Sequence, residues 1–409
     1  MIESYKPRLR HAEQKSTQQH VGEEDHYLYH QVTPTHRYAI IGVGTNGKEH
    51  MRVATLLGRA KICGIYDPHE RSLNVAESEF SKISSEKLIR YPSLEAACED
   101  ADVDAYFIST PNYTHYEVLH RVVKTGKPIY VEKPMATTVA DAAKMVEMAN
   151  SYSSIMQIGL QYRYKRQYVE AFQEAHVLKS LGEIKTISMS EYRPPFLDKV
   201  GQWNKFSEYS GGTLVEKCCH YFDLINMMAE SRPERVFASG GQAITFTDFE
   251  KDGKASDIED HAYVIIEYQN GIRANFTLNM FCPEFEEEMI VVGNRGRLIA
   301  REKFYLHQQK PSIGTVEVEL GENGVSKLSE VTYPVAIDES GHHGSTFFAE
   351  QAFVDQLEGK EVNGATAEQG MWSVIVACAA QESLSIGGPV SIKDYLTELG
   401  FEHLLAKES

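Results

Sequence analysis

Apolar positions follow two different periods along this chain. From residue 38 to about 159, short apolar runs at 38–43, 60–66, 105–109, 128–131 and 155–159 alternate with other segments. In those segments, at 48–57, 94–101, 116–125 and 138–151, apolar residues recur every three to four positions. Short apolar runs between amphipathic stretches predict buried strands linked by helices. Strands and helices in strict alternation predict a parallel sheet covered on both faces.

Near residue 183 the period changes. Longer strand-like runs follow at 186–193, 235–245, 260–269, 272–280 and 289–293, with few helices between them. Several alternate in polarity, as in Arg273-Ala-Asn-Phe-Thr-Leu-Asn279, which predicts an antiparallel or mixed sheet with one solvated face. Gln269-Asn270-Gly271 between two of these runs predicts a hairpin turn. Helical patterns at 346–358 and 367–386 close the chain. Residues 1–36 are polar, rich in His and Gln and without clear period, and are expected to form an extension, disordered or draped over a neighbouring subunit.

The first apolar run ends in Gly42-Val-Gly44-Thr45-Asn46-Gly47, and the second ends in Asp67. In a dinucleotide site Gly42 permits the tight turn, Gly44 lets the backbone approach a pyrophosphate, and Gly47 lets the helix sit close to the strand. The helix start carrying Thr45 and Asn46 offers unpaired N–H groups to phosphate. Asp67 would accept hydrogen bonds from ribose hydroxyls and repel a 2′-phosphate, favouring NAD over NADP, with Arg71 read as a solvated helix residue.

Composition narrows the choice. With 58 acidic against 41 basic residues the net charge is −17, which disfavours a nucleic-acid partner. No apolar run is long enough to cross a membrane, and the first residues lack the apolar middle of a secretion signal. The six cysteines form no C-x-x-C pair, so a reducing cytoplasm is expected rather than a disulfide framework.

Three further motifs offer chemistry. Thr110-Pro111-Asn112-Tyr-Thr114-His115 follows a strand; it reads either as a loop lining the cofactor crevice or as a turn capped by Thr114. Glu132-Lys133-Pro134 also follows a strand. Lys133 reads either as a surface lysine or as an ammonium that stabilises a developing alkoxide, its pKa lowered by burial. In Ser210-Gly-Gly-Thr-Leu-Val-Glu216-Lys-Cys-Cys-His220, Glu216 and His220 share a helix face; they read as a surface pair or as a base with its orienting carboxylate. A zinc site is not expected, because Cys218 and Cys219, adjacent on a helix, diverge too far to be co-ligands. Arg163, Tyr164 and Trp203 offer polar groups and a stacking face for substrate, and equally read as packing residues.

In this order, G-x-G-x-x-G, T-P-N-x-x-H, E-K-P and G-G-x-x-x-(acid)-x-x-x-H, the motifs resemble those of the glucose–fructose oxidoreductase and inositol dehydrogenase family (Gfo/Idh/MocA), from about residue 37 to 395. Gly341-His-His-Gly344 and the helix ending Ser383-Leu-Ser-Ile-Gly-Gly-Pro agree with it. The resemblance implies an α/β fold in two parts: an N-terminal Rossmann doubly wound parallel sheet over 37–160, and a C-terminal α/β domain with a large open mixed sheet over 161–395. The helix at about 366–386 could pack back on the first part. It implies dimers or tetramers formed through the large sheet, and hydride transfer between nicotinamide and a hydroxyl-bearing carbon of a sugar, glycoside or cyclitol. Lys133 then contacts cofactor and substrate and His220 is the general acid/base. Glu216 stands where the family usually has Asp. Thr110, Pro111, Asn112, His115 and Glu132 fall to the cofactor. Two other readings share the motifs: an NAD-dependent glycoside hydrolase working by transient oxidation and elimination, and a non-catalytic NAD sensor.

Overall fold

The computed structural model describes residues 33–305, 312–321, 324–362 and 364–406. Nearly all of the expected 1–36 extension therefore lies outside the described residues. In the first part, strands β1 (His36–Ile41), β2 (Ala60–Tyr66), β3 (Ile89–Arg90), β4 (Ala105–Ile108), β5 (Ile129–Glu132) and β6 (Met156–Gly159) are linked by helices. These are α1 (Thr45–Leu57), α2 (Glu70–Phe80), α3 (Leu94–Glu99), α4 (His115–Val122) and α5 (Val139–Ser151). The six strands lie in the order β3-β2-β1-β4-β5-β6, every pairing parallel. β1, β4 and β5 are buried almost throughout, as near-continuous apolar runs must be when helices cover both faces. The order reverses between β1 and β4, which opens a crevice at their carboxyl ends.

After α6 (Arg166–Phe172) the second part begins with β7 (Ile184–Tyr192), followed by short helices α7 (Ser207–Ser210) and α8 (Thr213–Glu216), then α9 (Cys219–Ala229). Its remaining strands are β8 (Pro233–Gly241), β9 (Glu250–Lys251), β10 (Lys254–Ala255), β11 (His261–Tyr268), β12 (Arg273–Asn279), β13 (Phe285–Gly293), β14 (Arg297–Phe304), β15 (Ile313–Glu319) and β16 (Lys327–Val331). Then come α10 (Val335–Asp338), α11 (Ser345–Leu357), α12 (Ala367–Ile386), β17 (Val390–Ser391) and α13 (Ile392–Glu398). Among the described residues nine strands form one mixed sheet, β16-β15-β14-β13-β7-β12-β11-β8-β17, in which only β7 and β12 run parallel. The fold class is the one the resemblance implies.

β11 shows the alternation read from the sequence: Ala262, Val264 and Ile266 are buried and Tyr263 and Ile265 are exposed. Two features differ from expectation. β13 starts at Phe285 rather than near 289, because Glu286, Glu287 and Glu288 continue the strand and Glu287 points into the core. β14, β15 and β16 go beyond the expected strands; in β14 and β15 apolar residues such as Leu298, Ala300, Val316 and Val318 face the core between charged ones.

Helix α12 joins the two parts. A capping box of Thr366 and Gln369 starts it. Gly370 sits where a Cβ would come within 2.9 Å of Met135 Sδ, against the parallel-sheet part. Near its other end Ser383 Oγ accepts the Ala238 N–H of β8 at 2.8 Å. No described helix is long and apolar enough to cross a membrane.

Candidate active site

The glycine turn is shaped by close approach. Gly42 has φ +88°, and a Cβ there would lie 2.7 Å from Thr110 N; one on Gly47 would lie 2.1 Å from the Gly42 oxygen. At Gly44, by contrast, a Cβ would meet nothing within 4 Å, so its bare backbone faces open space. Thr45 and Asn46 begin α1 at this opening. Asp67 closes the turn from the side: Oδ2 accepts the Val43 N–H at 3.0 Å and Oδ1 the His69 N–H at 2.8 Å. An open-faced glycine at a helix start, beside an acid at the end of the next strand, fits the pyrophosphate and ribose of a dinucleotide.

The neighbouring loops are tied to each other. His115 Nδ1 lies 2.8 Å from the Pro134 carbonyl and Nε2 lies 2.9 Å from that of Thr110. The ring is fully buried, which holds its pKa below the ordinary value. Its two nitrogens thus join the Thr-Pro-Asn and Glu-Lys-Pro loops. Asn112 is buried with its Nδ2 unpartnered, while Thr110 and Pro111 are half-buried. Thr114 stands at the start of α4 but its side chain does not cap the helix as expected; its Oγ1 donates instead to Thr110 Oγ1 at 2.8 Å and to the Pro111 carbonyl at 2.7 Å, closing the loop on itself.

Glu132 is also held by protein groups. Its Oε2 accepts from Asn46 Nδ2 at 3.1 Å, and its Oε1 lies 2.9 Å from His50 Nε2. His50 Nδ1 in turn lies 2.8 Å from Glu350 Oε1 on α11. Burial opposes charge on this imidazole, but its hydrogen bonds to Glu132 and Glu350 overcome that and lift it to about 10. Glu350, fully buried, is raised to about 7. His50 was not singled out in the sequence, where it reads as one polar position of a helix.

Lys133 reaches across to the second part. The helical ladder is interrupted between α8 and α9, and the Glu216 carbonyl at that break accepts from Lys133 Nζ at 3.1 Å. Burial disfavours its charge, but the Glu216 and Glu132 carboxylates outweigh burial and hold the ammonium above its ordinary pKa. The lowered pKa expected for Lys133 is corrected: negative neighbours, not desolvation, decide the sign.

Four residues beyond Glu216, His220 is 1% exposed. Its Nδ1 and the Glu216 Oε2 are both buried without a hydrogen-bond partner. The orientation expected from a Glu216 contact comes instead from Tyr162, whose ring stacks on the imidazole at 3.9 Å and 6°. Burial, followed by Lys133, Lys217, His342 and Lys165, keeps the His220 imidazole well below its ordinary pKa, and so neutral. Glu216 is pulled the other way, held ionised despite burial by Lys133, Lys199, Lys217 and Arg193.

The proposed substrate residues scatter. Arg163 is committed to the fold: Nε lies 2.6 Å and Nη2 2.5 Å from the Asp223 carboxylate, and Nη1 donates to Gln369 at 2.8 Å. The guanidinium is held in a buried ion pair. Tyr164 is half-buried and its carbonyl accepts from Tyr333. Trp203 lies in an aromatic cluster, 6.5 Å from Tyr113, which is itself 5.0 Å from Tyr209. The described residues hold no group of three or more His, Cys, Asp or Glu able to take a metal ion.

A doubly wound sheet with a glycine turn at its switch point, joined to a large mixed sheet that brings a lysine and a neutral histidine together, defines a nicotinamide-dependent oxidoreductase. The chain belongs to the Gfo/Idh/MocA oxidoreductase family: the NAD-binding Rossmann fold of that family matches residues 36–160 and its C-terminal α/β domain matches 177–392. It is 24% identical over 376 residues to the myo-inositol 2-dehydrogenase of Thermotoga maritima, covering 88% of this chain and 99% of the relative. It is 27% identical over 305 residues to the 1,5-anhydro-D-fructose reductase of Ensifer adhaerens, covering 74% of this chain and 83% of the relative. Among solved structures, levoglucosan dehydrogenase in complex with NADH and levoglucosan superposes with a TM-score of 0.72 at 15% identity, over 87% of this chain and 99% of that one.

Proposed function

We propose that the protein is an NAD-dependent dehydrogenase acting on a hydroxyl-bearing carbon of a sugar, glycoside or cyclitol. The observation that carries this reading is the meeting of a charged ammonium and a neutral imidazole at one helix break, with Lys133 on the Glu216 carbonyl and His220 four residues on. Bound NAD supplies the hydride acceptor. Lys133 stabilises the substrate oxygen as negative charge develops on it. His220, kept neutral by burial and nearby cations, accepts the hydroxyl proton. Gly42, Gly44, Thr45, Asn46 and Gly47 hold the pyrophosphate, and Asp67 holds the ribose and favours NAD over NADP. The relatives' inositol and anhydrosugar substrates support the polyol class for this chain.

Phe237, Tyr263 and Ile265, exposed on neighbouring strands β8 and β11, support pairing of two copies through the outer face of the large sheet. Free thiols at all six cysteines support a reducing compartment such as the cytoplasm. The test is nicotinamide absorbance with purified protein, NAD and a panel of inositols, free sugars and glycosides. A rising reduced-nicotinamide signal with one class is expected; silence throughout, with aglycone released from a glycoside, would sink the reading.

A further inference from the structure

The ring beneath His220 is itself flanked by charge. Lys165 Nζ lies 4.3 Å and Lys217 Nζ 4.8 Å from the centroid of Tyr162, and the Tyr162 hydroxyl accepts from Lys217 at 2.6 Å. Both ammonium groups are buried, and both are anchored on carboxylates of the large sheet. Lys217 lies 3.1 Å from Glu191; Lys165 lies 2.7 Å from Glu302 and also pairs with Glu287.

These three glutamates stand side by side. Glu191 on β7 is directly opposite Glu287 on β13, and Glu287 is directly opposite Glu302 on β14. All three are 0% exposed. Like charges directly opposed across strands repel, and burial without partners would make the row untenable. Partners are supplied: Arg193 lies 3.5 Å from Glu191, Arg166 lies 3.2 Å from Glu302, and Glu287 accepts from Tyr221 and Gln167, each at 2.9 Å.

Hydride transfer assisted by Lys133 and His220 does not require this array. Its effect is to fix two positive charges on the ring that carries the His220 imidazole. An aromatic face normally attracts a cation, but this ring already serves two, so an imidazolium stacked on it would be repelled by both. A neutral imidazole meets no such cost. We propose that Lys165 and Lys217, acting through Tyr162, are positioning residues that hold His220 as a neutral imidazole, ready to accept a proton at the start of each turnover. The proposal rests on the reading of His220 as the proton-transfer group. Two further groups act on the His220 imidazole: Lys133 from the loop after β5, and His342 from the loop before α11, whose ring lies 6.2 Å from that of Tyr162.

The test is an NMR titration of the full chain with labelled histidines, His220 being assigned by comparison with His220→Gln. Wild-type His220 is expected to stay neutral down to mildly acidic pH. In Lys217→Met its midpoint should rise by about one pH unit, and Lys217→Arg should restore it. The acid limb of kcat/KM should move with it. A purely structural role for the array would leave the midpoint in place, so a folded Lys217→Met protein with an unmoved His220 would overturn the proposal. If Lys217→Met does not fold, the double variant Glu191→Gln/Lys217→Met removes the ion pair as a unit. A smaller rise is expected there, and no rise counts against the proposal. The titration needs no substrate, so failure to turn over any polyol would count against the dehydrogenase reading alone.

Discussion

His50 and Glu132 meet at 2.9 Å in the buried floor of the cofactor crevice, joining the helix after the glycine turn to the loop that carries Lys133. With Glu350 on the other ring nitrogen, this imidazolium is raised from 6.5 to about 10. A raised histidine contributes stability that is complete below its unfolded value and is lost as pH climbs through its folded value. Glu350, raised from 4.5 to about 7, gives a slope of the same sign at lower pH, between about 4.5 and 7, so the window above pH 7 belongs to His50. The melting temperature should therefore fall between pH 7 and pH 10, as measured by differential scanning calorimetry. His50→Gln should lower stability at pH 7 by about 3–5 kcal/mol, the usual loss when one partner of a buried pair is removed, and should flatten that pH dependence. An unchanged pH profile in His50→Gln would refute the assignment of the slope to this cluster.

The two inner glycines of the turn should respond differently to the same substitution. Gly44→Ala places a methyl in open space at an ordinary φ of −66°, so melting should hardly change. That same methyl occupies the surface a pyrophosphate needs, so NAD affinity should drop by at least about tenfold, or about 1.4 kcal/mol. Gly47→Ala would drive its methyl to 2.1 Å from a backbone oxygen, and should destabilise the fold itself by roughly 1–3 kcal/mol. Calorimetric binding and melting on the two variants separate the effects; equal losses of stability would contradict the geometry.

Elements governed by local pattern were legible in the sequence. The glycine turn, Asp67, Lys133 and the alternation of β11 follow from spacing that the backbone enforces. What stayed hidden depends on partners far away in the chain. Lys165 sits among charged and aromatic residues just after β6, and its meaning comes from Glu287 and Glu302, over a hundred residues later. Glu287 reads as one of three acids in a loop, yet its strand register buries it. Tyr162 lies beside the candidate Arg163, and only the fold lays it under His220. The ion pair of Arg163 was hidden for the same reason: its partner Asp223 is sixty positions away.

Arg163→Met therefore tests structure rather than recognition. It would leave the buried Asp223 carboxylate, already raised by burial, without its counter-ion. Stability should fall by about 3–5 kcal/mol, while the KM of the surviving folded protein stays within a few-fold of wild type. A stable variant with a greatly raised KM would return Arg163 to the substrate site.

Cofactor choice should turn on Asp67. Its carboxylate accepts the Val43 and His69 N–H groups, which fixes it at the end of β2 where a ribose hydroxyl would lie. Asp67→Asn keeps an acceptor for one of those N–H groups and removes the charge that opposes a 2′-phosphate. The ratio of NADP to NAD dissociation constants should fall at least about tenfold. If titrations of both nucleotides show the ratio unmoved, Asp67 does not read the ribose.

Lys133 separates binding from chemistry. Its ammonium is held on the Glu216 carbonyl and kept charged by the Glu216 and Glu132 carboxylates, so at neutral pH it is a fixed positive charge and not a proton shuttle. Lys133→Met removes that charge while keeping much of the chain length; turnover should fall by about 10²–10³-fold, the loss typical of one oxyanion partner. NAD affinity should change little, because the contacts proposed for pyrophosphate and ribose lie in the glycine turn and at Asp67. The pH profile is the sharper discriminator. A fixed charge predicts that the residual activity of Lys133→Met keeps the wild-type acid limb to within the small shift caused by removing one cation near His220, and that limb should move upward, since the imidazolium loses a repelling neighbour. A limb that instead vanished would make Lys133 the titrating group and His220 a bystander.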